Sequence, residues 1–169
     1  ASRHSPLNAA LSVAAAIYCG CPLSNIKKRL KFIDLPERRL AISNSLKGSI
    51  LIDDSYNSNP ASLKNAVDSL EGLKRKKVCI LGDMKELGSD SQKIHQEMYE
   101  YISERVDHIF CIGDEWSTCS PNEKQDLSIF ENQDDLYSHL ISIIDKKTIL
   151  LVKGSRSTRM DLLADKLKK

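Results

Sequence analysis

Three short apolar runs limit what this chain can fold into. Val78-Cys79-Ile80-Leu81 ends at Gly82, Ile109 to Ile112 ends at Gly113, and Thr148 to Val152 ends at Lys153-Gly154. A strand with one wet face alternates apolar and polar residues, whereas an unbroken apolar run belongs to a strand covered on both faces, as in parallel sheets. Segments with helical spacing lie between or after the runs: Ile94 to Val106, Leu136 to Ile144 and Met160 to Leu167. A further helix is expected from Pro60, a residue suited to a first helical turn, through Leu63, Ala66, Val67 and Leu70. Arg39 to Leu46 and Ser49 to Asp53 read as two strands joined by the turn signal Lys47-Gly48. Residues 39–169 therefore predict an α/β fold, a mostly parallel sheet that begins with an antiparallel hairpin.

Before the hairpin the grammar differs. Asn8 to Tyr18 is rich in alanine and ends at Gly20, and Leu23 to Leu30 follows as a shorter helix behind Ser24. Leu35-Pro36-Glu37 interrupts this pattern, because proline cannot continue a helix and drives its predecessor into an extended conformation. A domain boundary is expected there, dividing residues 1–35 from 36–169.

Composition excludes several functions. Lys and Arg number 25 against 23 Asp and Glu, a balance too even to gather nucleic acid or an anionic membrane. The longest apolar stretch, Ala9 to Ile17, is shorter than the roughly 20 residues of a membrane span. Cys19, Cys21, Cys79, Cys111 and Cys119 are odd in number, and two lie within the apolar runs, which fits reduced thiols in a cytoplasm. Cys19-Gly20-Cys21 lacks zinc-type spacing.

Ligands of parallel sheets collect beyond the carboxyl ends of the strands. Three polar loops are expected there: Asp53 to Pro60, Gly82 to Gly88, and Lys153 to Arg159. The first offers a carboxylate for sugar hydroxyls, a phenol ring to stack on a base and amides for its edge. The last sets cations near a helix start, where an anion is favoured. The same residue types also build turns and helix caps or simply face solvent, and composition leaves both uses open. His95, in mid-helix, reads as a core or surface histidine before a general base. No Gly-x-x-x-x-Gly-Lys-Ser/Thr or Gly-x-Gly-x-x-Gly occurs, so no loop of this chain matches those that cradle a triphosphate.

Taken in order, Arg3-His4 with Asn8-Ala9-Ala10, Ile52 to Pro60, Leu81 to Gly88, and Val152 to Met160 resemble the Mur ligase family. The resemblance spans nearly the whole chain, and the second and third segments carry the dipeptide-adding pattern. It implies a three-domain enzyme with a domain for the UDP-linked substrate, a central ATPase domain holding the phosphate loop, and a Rossmann-like last domain. Residues 1–35 would be the final helices of the central domain and 36–169 the last domain. The implied reaction forms a peptide bond in peptidoglycan precursor synthesis. ATP phosphorylates the carboxylate of UDP-N-acetylmuramoyl-tripeptide, and the amine of D-alanyl-D-alanine attacks the acyl phosphate. Magnesium bridges the phosphates in the family, with its ligands in the central domain.

Residue by residue, the resemblance gives the adenine contact to Asn8, a ribose and terminal-phosphate contact to Arg39, and the ribose hydroxyls to Asp54. Tyr56, Asn57 and Asn59 would line the adenine side. Lys153, Ser155, Arg156 and Asp83 would lie near the incoming dipeptide. Two positions depart from the family pattern: Ser5 stands where Arg-His is usually followed by asparagine, and Ser157 replaces a glycine. The competing expectations are another amino-acid-adding Mur or folylpolyglutamate-type ligase, and a non-catalytic flavodoxin-like binding module.

Overall fold

The computed structural model describes residues 4–31, 37–121 and 127–169, with side chains from Asn8 onward in the first stretch. Arg3 of the family pattern and the Leu35-Pro36 break lie outside the described residues. Internal contacts divide the chain into two compact units, 1–36 and 37–169.

The first unit holds α1 (His4–Tyr18) and α2 (Leu23–Leu30). Gly20 ends α1 as expected: its φ of +80° lets the amides of Gly20 and Cys21 fold back onto the carbonyls of Ile17 and Ala16. Among the described side chains of this unit only Ile26 is buried, while Leu11, Ile17, Tyr18, Leu23 and Leu30 are exposed.

The second unit is a six-stranded sheet in the order β1-β2-β6-β3-β4-β5, with helices on both faces. The strands are β1 (Ala41–Asn44), β2 (Ile50–Asp54), β3 (Lys76–Gly82), β4 (His108–Ile112), β5 (Leu127–Phe130) and β6 (Thr148–Lys153). β1 and β2 are antiparallel and every other pairing is parallel. One face packs α3 (Pro60–Asp68), α4 (Ser91–Ser103) and the short α5 (Asp114–Ser117); the other packs α6 (Gln133–Ile143) and α7 (Met160–Leu167). The apolar runs divide by parity: Cys79 and Leu81 enter the first core with Leu63, Met98 and Trp116, while Val78 and Ile80 enter the second with Leu136, Leu163 and Leu167. Full burial on both faces is what the unbroken runs predicted.

The strand expected over 39–46 is shorter than its β-prone sequence. Arg38 and Leu40 take positive φ values of 61° and 52°, so the chain turns through Arg39 and enters β1 only at Ala41. The hairpin connection is a 3-10 turn over Leu46–Gly48 in which Lys47 and Gly48 both have positive φ. Two elements have no counterpart among the expected ones. β5 is a four-residue edge strand with an intervening serine, and α5 is a single turn.

Candidate functional site

β6 lies between β2 and β3, so the carboxyl ends of three successive strands stand side by side and their loops diverge from one place. Register sets Asp54 beside Lys153, and Leu81 beside Lys153 from the other side. The Lys153 ammonium is buried, donating to Asp54 Oδ2 at 2.5 Å and to the Asn57 carbonyl at 2.8 Å. Asp54 Oδ1 accepts the Leu40 N–H at 3.0 Å. Burial pushes the Asp54 carboxyl up and the Lys153 ammonium down, each opposed by attraction to the other. The pair therefore resists desolvation only as a pair.

Above it, the turn at Leu40 carries the Arg39 guanidinium over the Tyr56 ring, 4.6 Å from its centroid. Tyr56 is about half exposed, and its amide donates to the Arg38 carbonyl, which ties the two loops together. Arg39, Asp54, Tyr56, Asn57 and Lys153 thus form one continuous cluster. Beneath it Asp53 is fully buried; its Oδ1 accepts the amide and hydroxyl of Ser55, and Oδ2 faces the Lys168 ammonium at 3.0 Å.

Asn59 serves a local purpose. Its side chain accepts the Ser62 amide and its own amide donates to Ser62 Oγ, a capping box that starts α3.

The Gly82–Gly88 loop adjoins the cluster through Ser155, whose amide donates to the Asp83 carbonyl and whose hydroxyl accepts the Lys85 amide. Asp83 is buried, with Oδ2 taking the Lys85 ammonium at 2.9 Å and Oδ1 the Trp116 amide at 3.3 Å. Lys85 itself is exposed, and its ammonium is held in the charged form by that bond first. A Cβ on Gly113, where φ is +130°, would come within 2.2 Å of the Asp83 carboxyl, so only glycine lets this acid sit there. Gly82 and Gly154 likewise leave room for Thr158 and Met160.

Arg156 is exposed and stands apart from this cluster. It pairs with Asp161 at 3.7 Å, and Arg159 Nε approaches the same carboxylate at 3.3 Å. The anion expected at this helix start is thus supplied by the chain itself, since Asp161 occupies the first turn of α7. Asn8 lies in the first unit, its carbonyl accepting the Ser12 hydroxyl.

Sequence reasoning missed Arg38 as a member of this region and named Lys85 only as part of the Gly82–Gly88 loop. Arg38 binds the Asp161 carbonyl and the Asp165 carboxylate, drawing the latter below the usual carboxylate range. Only its neighbour Arg39 was singled out by the resemblance. His95 is the core histidine its position suggested, fully buried and edge-on to Trp116.

Among the described residues no group of three or more His, Cys, Asp or Glu is placed to hold a metal ion, and no helix is long and apolar enough to cross a membrane.

Comparison with known proteins bears on the family and the fold. The family model for the Mur ligase glutamate ligase domain matches residues 38–156. A UDP-N-acetylmuramoyl-tripeptide--D-alanyl-D-alanine ligase of Haemophilus influenzae is 32% identical over 98% of this chain and 38% of its own length. The crystal structure of MurF from Acinetobacter baumannii superposes with a TM-score of 0.84 at 32% identity, covering all of this chain and 38% of the other. That of MurF from Thermotoga maritima in complex with ADP shares the fold at a TM-score of 0.82 and 23% identity, over 98% of this chain and 38% of the other. The chain spans little more than a third of the length of the relatives it matches. It belongs to the Mur ligase family.

Proposed function

We propose that this chain is the nucleotide-closing end of an ATP-dependent ligase that joins D-alanyl-D-alanine to UDP-N-acetylmuramoyl-tripeptide in peptidoglycan precursor synthesis. The observation that carries the reading is the convergence of Arg39, Asp54, Tyr56 and Lys153 on one strand-end cluster in a chain with neither phosphate-loop pattern. Such a surface grips a nucleoside and leaves the phosphates to another domain of the same ligase. Tyr56 and Asn57 bound the adenine, Asp54 accepts from the ribose hydroxyls, and Arg39 reaches from ribose toward the terminal phosphate. Asn59 contributes its cap and Asn8 an adenine contact from the helices that close the central domain. The exposed Leu11, Ile17 and Tyr18 of α1 support that assignment of residues 1–35, since large apolar side chains left in solvent suit burial against further protein.

The neighbouring loop receives the second substrate. Ser155 and Asp83 fix its backbone, Lys153 braces the adjoining loop through the Asn57 carbonyl, and the exposed Lys85 and Arg156 offer cations to the dipeptide carboxylate. Transfer of the ATP terminal phosphoryl group to the tripeptide carboxylate releases ADP. The dipeptide amine then forms the new C–N bond at the acyl carbonyl, and inorganic phosphate leaves with the broken C–O bond. The domain's own contribution is to orient both partners and exclude water from the acyl phosphate when it closes. Magnesium enters with ATP, on ligands of the central domain. The cell compartment that fits is the cytoplasm.

In the longer ligase containing this chain, Arg39→Ala is expected to raise the apparent KM for ATP about tenfold, the equivalent of one charge-assisted contact of about 1.4 kcal/mol. Steady-state kinetics with ATP varied checks this. An unchanged ATP dependence would overturn the assignment.

A further inference from the structure

His95 sits on α4, outside the cluster that grips the nucleotide, yet it is the fully buried polar side chain that reaches the loop assigned to the dipeptide. Its Nε2 accepts the Met84 N–H at 3.1 Å. With that nitrogen an acceptor, the ring proton lies on Nδ1, which donates to the Ser91 carbonyl at 2.8 Å. Both ring nitrogens are therefore committed, one to its own helix and one to the loop. Trp116 packs against the ring edge at 4.7 Å and sends its amide to Asp83, so histidine and tryptophan clamp consecutive loop residues.

The loop needs such a clamp. Glu86 adopts a φ of +66°, a left-handed conformation that costs a non-glycine residue about 1 kcal/mol. Met84 is buried in the core below, and the Lys85 amide is tied to Ser155. Between these ties Lys85 and Glu86 project outward, and the position of the Lys85 ammonium beside Asp83 depends on where the Met84 amide is held.

We propose that His95 is a positioning residue for the incoming dipeptide, acting through the Met84 N–H to set the Asp83–Lys85 segment. The inference rests on the assignment of this loop to the dipeptide in the proposed function. It never touches substrate itself, and a histidine that merely filled the core would not need an acceptor aimed at a loop amide.

Two variants that differ in reach isolate the bond. In His95→Gln the side-chain amide extends to the place of Nε2 and keeps an acceptor for Met84, whereas in His95→Asn it stops at the place of Nδ1 and cannot reach. Amide exchange over residues 82–88 of the 169-residue chain is expected to speed up in His95→Asn and to stay near the parent rate in His95→Gln. In the longer ligase, His95→Asn should raise the KM for D-alanyl-D-alanine about tenfold while the KM for ATP changes less than twofold, and His95→Gln should restore it. Equal exchange in the two variants, or a parental dipeptide KM in His95→Asn, would overturn the inference. A parent ligase that turns over with other amines but not with D-alanyl-D-alanine would instead remove the proposed function, leaving the exchange data to judge the clamp alone.

Discussion

At the level of single residues the buried Asp54–Lys153 pair raises the question of why a chain would bury two charges. Desolvation moves both groups toward their neutral forms, and mutual attraction offsets it. A pair of this kind adds little to stability over two apolar residues, but removing one partner strands the other. Lys153→Met is expected to cost about 3 kcal/mol, and the double replacement Lys153→Met with Asp54→Leu to recover most of that loss. The pH dependence follows from the sign of the shift. Without Lys153, the Asp54 pKa in the folded state rises further above its unfolded value, so the folded chain takes up a proton first as pH falls. The penalty of Lys153→Met should therefore shrink between pH 7 and about pH 4.5, as protonation discharges the stranded acid. Urea denaturation of the three proteins at both pH values checks this; a penalty that is flat with pH, or a double variant no better than the single, would contradict it. If the double variant is stable, what keeps the pair is its place at the mouth of the site, where Asp54 also holds the Leu40 amide under Arg39.

At the level of elements, α3 shows how a functional and a local reading compete for one side chain. Asn59 was singled out beside Tyr56 and Asn57, yet its side chain closes a capping box with Ser62. Asn59→Ala is expected to lower stability by about 1 kcal/mol, and Asn59→Asp, which caps equally well, to leave it near the parent value; the urea midpoint decides. The central strands were legible because burial on both faces forces an unbroken apolar run, and β3, β4 and β6 all carry one. β5 was not, because an edge strand is covered on fewer sides: Ile129 is 41% exposed, and Ser128 breaks the run. The turn at Arg38 to Leu40 was hidden for a different reason. Positive φ at two non-glycine residues is imposed by tertiary bonds, from Arg38 to Asp161 and Asp165 and from Leu40 to Asp54, that join segments far apart in sequence. Within the strand-end cluster, loop position singled out Asp54, Tyr56 and Lys153. The links through His95 and Ser155 needed the fold, since each joins two loops or a helix and a loop.

At the level of the whole molecule, the switch in strand order around β6 brings three loops to one edge, and the proposed function has that edge hold a nucleoside without a phosphate loop. On this account the second unit contributes base and ribose contacts plus a single cation near the phosphates. Its affinity for nucleotides should then depend little on phosphate number. The direct measurement is an NMR titration of the 169-residue chain with adenosine and then with ATP, following backbone amides. The account predicts weak binding of both, shifts centred on Arg39, Asp54 and Tyr56, and a gain of less than about tenfold from the added phosphates, as one partly exposed charge contact provides. ATP binding that is orders of magnitude tighter than adenosine, or shifts confined to a region away from these residues, would contradict it.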